Sequence, residues 1–224
     1  MKILVACEES QAVTIELRKL GHEAFSCDII PCSGNHPEWH IQQDVLPLLD
    51  GDCAFKTGDG TLHLTSGKWD MIIAFPPCTY LSKAGARRLY PQAGTIDETR
   101  YQQGLAAKDF FMRFYNADCD KIAIENPVSL RIFDMPKHTQ EVQPYMFGHP
   151  YTKMTRLWLK GLPQLAPTNT VIPQGPYIPS LTGRKDRSKY GAPRCGGSSK
   201  ARSKTFPGIA KAMAQQWAGK DTTP

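Results

Sequence analysis

Residues 1–28 read MKILVACEESQAVTIELRKLGHEAFSCD, and the reading of this stretch decides the fold. Ile3–Cys7 is an unbroken apolar run of strand length. Ser10 stands where a helix cap is wanted, and Val13, Leu17 and Leu20 then recur at i, i+4, i+7 on one face. Gly21 stops that helix, and Glu23–Asp28 begins a second strand that ends in an acid. Strand, helix and strand at this spacing predict a parallel pair joined by a helical crossover.

Working outward, the same rhythm continues. A short third strand ends near Asp44. Residues 51–68 break the pattern, and the turn-forming run Lys56-Thr57-Gly58-Asp59-Gly60-Thr61 predicts a β-hairpin insertion. Asp70–Phe75 gives a fourth core strand, followed at once by Pro76-Pro77-Cys78. Ala107, Phe110, Phe111 and Phe114 mark a helix packed on the sheet. Lys121–Glu125 is the next strand and Arg156–Leu159 a further one. The predicted class is therefore α/β, Rossmann-like, with a mostly parallel sheet and helices on both faces. Residues 1–162 form the core. Residues 163–205, rich in proline, glycine, serine and basic residues, form an extended loop-rich segment. A last helix within 206–219 places Ile209, Met213 and Trp217 on one face.

Composition limits the function classes. Of 224 residues, 41% are apolar and 21% charged, which excludes a disordered chain. No apolar run approaches the ~20 residues of a membrane span, and the N-terminus turns polar at Glu8, unlike a secretory leader. Seven cysteines without CxxC spacing read as reduced thiols of a cytoplasmic protein. The net charge of +6 is concentrated: Arg184, Lys185, Arg187, Lys189, Arg194, Lys200, Arg202 and Lys204 are opposed only by Asp186. Such a cluster suits a polyanion, because each neutralised phosphate releases counterions; it also suits a solvated loop.

In open α/β sheets ligands sit at the carboxyl ends of the strands. Here those ends carry Asp28, Asp44, Cys78 and Glu125. A thiol with a carboxylate on the same edge is a site-like pairing, although a lone cysteine is more often structural. A nucleophilic cysteine needs a cation or a helix terminus to raise its thiolate fraction. Cys27, Cys32, His36 and His40 fall close together, but without the spacing of a zinc framework.

Phe75-Pro76-Pro77-Cys78, Glu125-Asn126-Pro127, and Phe147-Gly148-His149-Pro150 followed by Thr155-Arg156-Leu157-Trp158-Leu159 occur in that order on the expected elements. In these motifs the chain resembles the C5-cytosine DNA methyltransferases over most of its length, and is most similar to small phage-encoded members. The resemblance implies an S-adenosylmethionine-dependent methyltransferase fold acting on double-stranded DNA. Cys78 is then the nucleophile that adds to C6, Glu125 contacts N3 and the exocyclic amine, and Arg156 binds the O2 edge. The target base must be flipped out of the duplex. For the cofactor the resemblance implies Ala6, Cys7, Glu8 and Ser10 in the first loop, Asp28 and Ile29 at the ribose, Asp44 and Val45 at the adenine, and Pro77. Residues 163–205 stand where the family has its target-recognition segment. Lys83, Arg87 and Arg88, with the basic residues from Arg184 to Lys204, are the DNA-contact candidates. The chain reads as a monomer, working in the host cytoplasm if phage-encoded.

Three departures from the family pattern stand out. The glycine-rich first loop is replaced by Cys7-Glu8-Glu9-Ser10-Gln11, Thr79 stands where Gln is usual, and of the Gln-x-Arg-x-Arg pattern only Arg156 remains, with Lys153 as a partner. Thr205-Phe206-Pro207-Gly208-Ile209-Ala210 resembles the last family motif, which packs back on the cofactor site. Two other readings stay open: a nucleic-acid-binding protein on an altered methyltransferase fold, and a DNA-type cytosine methylase acting on RNA.

Overall fold

β1 (Lys2–Ala6) is buried along four of its five residues and lies between two parallel neighbours, β2 (Glu23–Asp28) and β6 (Met71–Ala74). The computed structural model describes residues 1–174, 177 and 204–219. α1 (Ala12–Lys19) makes the crossover from β1 to β2, and β3 (His40–Gln42) adds in parallel outside β2. A hairpin, β4 (Ala54–Lys56) and β5 (Leu62–Leu64), stands apart as a two-stranded sheet. α2 (Ala86–Leu89) and α3 (Glu98–Tyr115) follow β6, and then come β7 (Ile122–Pro127), β8 (Gln140–Val142), β9 (Thr155–Lys160) and α4 (Pro207–Ala218). The main sheet runs β3-β2-β1-β6-β7-β9-β8. All its pairings are parallel except those of β9, which is antiparallel to both neighbours. The chain therefore leaves β1 in one direction and resumes at β6 in the other, which opens a crevice at the carboxyl ends of these two strands.

Alternation along the strands feeds two cores. Ile3, Val5, Ile73, Ala123 and Leu157 face α1 and α4, where Val13, Leu17, Met213 and Trp217 meet them. Leu4, Phe25, Ile72, Ile124 and Trp158 face the other way, against Phe111 and Phe114 of α3 and Phe55 of the hairpin. Helices thus cover both faces of a mostly parallel sheet, as the sequence predicts. Among the described residues, no helix is long and apolar enough to cross a membrane.

One local expectation is corrected. Ser10 does not cap α1; the N-cap is Gln11, in the left-handed region at φ 57°, with no side-chain cap bond. The amides at that end are covered by Glu8 instead, whose carboxylate accepts from Val13 N (2.6 Å) and Thr14 N (3.2 Å). Left-handed turns at Cys7 (φ 58°) and Gln11 fold the loop back far enough for this reach. The edge strand β8 also escapes sequence reading. Of its three residues only Val142 is fully buried, so it carries no apolar run.

α4 docks by its first turn. A Cβ on Gly208 would lie 2.0 Å from the carbonyl oxygen of Phe147, a backbone atom that no rotamer change can move. Helix propensity favours Gly208→Ala by up to ~1 kcal/mol, whereas overpacking against backbone costs about 1–3 kcal/mol. The expected outcome is net destabilisation in chemical denaturation; a stabilised variant would contradict this docking.

Candidate functional site at the carboxyl edge of the sheet

The crevice between β1 and β6 is closed at its floor by Phe75 N donating to Ala6 O (2.9 Å). On the β1–β3 side two acids gather. The Asp28 and Asp44 carboxylates both bear on the Cys7 and Cys27 thiols, and together with burial they push both thiols well above their ordinary value. Burial, the larger cause, and the two acids both disfavour the thiolate at these cysteines. Asp28 is itself raised by burial, partly offset by the amides of Ile30 and Ile29. Its neighbour Ile29 is 74% exposed, an apolar side chain presented beside a half-buried acid. Asp44 is exposed and accepts from Leu46 N (3.0 Å), while Val45 is buried.

Of the other residues expected at the cofactor, Ala6 is buried, Ser10 half-buried and Pro77 exposed. Glu8 is buried, and its carboxylate covers the first amides of α1. Besides the two amides, its carboxylate accepts from Thr14 Oγ1 (2.7 Å). Burial pushes its pKa up to about 7 despite these bonds.

On the β6–β7 side, register places Ala74 opposite Ile124, and the ladder ends there. Asn126 Nδ2 continues it by donating to Pro76 O (3.0 Å), which ties the residue after Glu125 to the residue two before Cys78. Beyond it the two loops zip together. Lys83 N donates to Val128 O (3.0 Å) and Leu130 N to Leu81 O (2.8 Å). Cys78 is half-buried and belongs to none of the hydrophobic clusters. Its carbonyl accepts from Leu81 N and Ser82 N (3.1 and 2.9 Å), so the nucleophile candidate opens a tight turn. Burial raises the Glu125 carboxyl; the charge of Lys153 and a hydrogen bond with the Thr155 hydroxyl pull it partway back.

Arg156 is not brought beside Glu125. In the β7–β9 pairing Glu125 faces Leu157, and alternation puts Thr155 and Leu157 on that face with Arg156 on the other. Arg156 Nε donates to Glu141 Oε1 (3.0 Å) on β8. The cation on Glu125's side is Lys153. Its Nζ also lies 6.0 and 5.7 Å from the rings of Tyr177 and Phe206, whose centroids are 5.0 Å apart. Tyr177 and Phe206, far apart in sequence, thus meet beside Lys153.

Lys83, Arg87 and Arg88 are exposed on the loop and short helix after Cys78. Lys204 Nζ donates to Ser33 Oγ (2.9 Å) in the loop after β2. Arg184, Lys185, Arg187, Lys189, Arg194, Lys200 and Arg202 lie outside the described residues. Cys27, Cys32, His36 and His40 do not assemble. His40 sits between Ser26 Oγ and Ile30 O (2.9 Å each), and His36 stacks on Trp39 beside Glu38. Among the described residues no three His, Cys, Asp or Glu side chains gather in a way that could hold a metal. Cavities of about 200 Å³ beside Leu49 and Asn116, and about 360 Å³ between Tyr115, Ile124 and Trp158, are lined by none of the site residues.

Glu8 gives a pH test. Its folded pKa of about 7 lies above the ordinary 4.5, so between these values the folded state binds more protons than the unfolded state. The associated stability is full below pH 4.5 and is lost as pH rises to about 7. Relative to Glu8→Gln, wild type should lose on the order of 1–3 kcal/mol across this window and none above it. Denaturant titrations at a series of pH values measure the difference; parallel curves would refute it.

No protein-family model matches the chain, and no curated protein matches it. The functional reading therefore stands on the geometry of this edge.

Proposed function

We propose that the chain is a DNA cytosine-C5 methyltransferase with S-adenosylmethionine as methyl donor. The observation that carries this reading is the Asn126 Nδ2 to Pro76 O bond, which ties the Glu125 strand to the Cys78 turn at the sheet's carboxyl edge. The sheet order, with its switch between β1 and β6, accords with the methyltransferase fold that the motifs imply.

The rim residues fit the donor. Asp28 offers a half-buried carboxylate for the ribose hydroxyls with the exposed apolar Ile29 beside it, and Asp44 offers an exposed carboxylate for the adenine. The bound donor supplies the methyl group that C5 receives. Cys78, as thiolate, forms the Sγ–C6 bond and makes C5 nucleophilic. Glu125, whose carboxyl burial raises, would donate to N3 in its protonated form and accept from the exocyclic amine, which stabilises the charge that develops on the ring. After C5 has been alkylated it loses its proton, the Sγ–C6 bond breaks, and the C5–C6 double bond and the thiolate return together. Lys153, not Arg156, approaches the base from Glu125's side. Lys83, Arg87 and Arg88 meet phosphates around the flipped nucleotide, whose extrusion costs a few kcal/mol.

A second reading has one observation in its favour: Glu8 consumes amides at the α1 N-terminus, where an open loop would present them to a ligand. On that reading the chain binds nucleic acid without transferring methyl groups, and calorimetry would detect no S-adenosylmethionine binding.

DNA carrying 5-fluorocytosine separates the two, because fluorine cannot leave C5 as the proton does and the adduct is locked. Wild type with S-adenosylmethionine should form a denaturation-resistant complex, and Cys78→Ser none. If wild type forms none on any cytosine-containing DNA, the enzyme reading is lost. Lys153→Gln should lower methyl transfer by about 10²-fold, and Arg156→Gln by less than a tenth of that loss. The opposite ranking would return the role to Arg156.

A further inference from the structure

Arg100 is built around the backbone that carries Cys78. Asp97 caps α3, and its Oδ1 accepts from Arg100 N (2.8 Å), so the root of this side chain is fixed. From there Nη2 donates to Thr79 O (2.9 Å), and the guanidinium lies over the Tyr80 ring, 5.0 Å from its centroid. With the Cys78 carbonyl held by the amides of Leu81 and Ser82, two consecutive carbonyls, at the thiol's residue and the next, are anchored.

The space around the guanidinium is made to measure. A Cβ on Gly85 would lie 2.6 Å from Arg100 Nη2 and 3.1 Å from Thr79 O. Gly85 has an ordinary φ of −87°, so glycine here supplies room and not backbone freedom. Arg100 Nε is buried with no hydrogen-bond acceptor among the described residues, a loss that a purely structural glutamine or methionine would avoid. Bonding one carbonyl while stacking on an adjacent ring requires a planar cation, which lysine is not.

We propose that Arg100 is a positioning residue for Cys78: by gripping Thr79 O and the Tyr80 ring from α3, it holds the turn that carries the thiol and sets a cation against the carbonyl of the very next residue. The proposal rests on the reading of Cys78 as the nucleophile. A nearby cation favours the thiolate, and a fixed turn removes the search for the attacking geometry.

The test is alkylation of Cys78 by iodoacetamide over a pH series, followed by mass spectrometry of the Cys78 peptide. This readout needs neither DNA nor S-adenosylmethionine. Arg100→Gln should slow alkylation about tenfold and move its pH profile upward. Arg100→Lys, which keeps the charge but not the fork, should return the profile toward wild type without restoring the rate. Gly85→Ala crowds the Arg100 guanidinium and, less severely, the Thr79 carbonyl that it grips, so it should loosen the grip and slow alkylation in a protein that still folds. It also decides the matter alone if Arg100→Gln does not fold. Wild-type rate and profile in folded Arg100→Gln, or in Gly85→Ala when only that variant folds, would overturn the proposal. A moved profile in a protein that forms no 5-fluorocytosine adduct would keep the positioning role and sink the methyltransferase reading. An unmoved profile in a protein that does form the adduct would do the reverse.

Discussion

The carboxyl edge of this sheet is organised by a hydrogen bond from a side chain, because the backbone there cannot supply one. Pro76, Pro77 and Pro127 lack the N–H that a ladder needs, and the β6–β7 pairing stops at Ala74 and Ile124. Asn126 takes over by donating Nδ2 to Pro76 O. A carboxylate at 126 would set oxygen against oxygen. The bond leaves Asn126 Oδ1 buried without an acceptor's partner among the described residues, an imbalance that costs about 1–3 kcal/mol. What it gains is a fixed relation between two loops. The Lys83–Val128 and Leu130–Leu81 bonds continue from it, and the Cys78 turn, the Arg100 grip and the Glu125 strand all hang from this junction.

The opposite rim solves a different problem. Burial pushes the Cys7 and Cys27 thiols up, and the negative charges of Asp28 and Asp44 push them in the same direction. The same rim gives up the anion-binding capacity of α1, whose first amides are spent on Glu8. A ligand seated here meets acids and an exposed Ile29, not a bare helix terminus. Acids in place of a bare helix terminus favour a cationic group over a phosphate, which is why the proposed donor is a sulfonium.

The core was legible because its signals are local. Ile3–Val5, Met71–Ala74 and Ile122–Ile124 are apolar runs of strand length, and Phe111 and Phe114 repeat at helical spacing. Cys78 and Glu125 were legible because they follow such runs directly. What could not be read depends on distance in sequence. Arg100 lies 21 residues from the carbonyl it holds, and its meaning depends on Gly85 making room. The cap at α1 was misassigned to Ser10 because the left-handed turns at Cys7 and Gln11, which let Glu8 reach back, leave no residue-type signature. β8 was missed because an edge strand needs only one buried residue.

Arg156 and Lys153 differ through strand parity, and parity is a stricter judge than motif spacing. A side chain's face on a strand reverses with every residue, so a basic residue one position out of phase reaches the wrong side of the sheet however well its neighbours align. In β9 the phase is set by Leu157 in one core and Trp158 in the other, two large side chains that cannot exchange places. Arg156 must therefore share the face of Trp158, where Glu141 meets it. The cation that offsets the buried Glu125 carboxyl has to come from the preceding loop, and Lys153 supplies it. Tyr177 and Phe206, far apart in sequence, close around the same ammonium, so the loop before β9 is fixed from two directions at the point where it meets the sheet's acid.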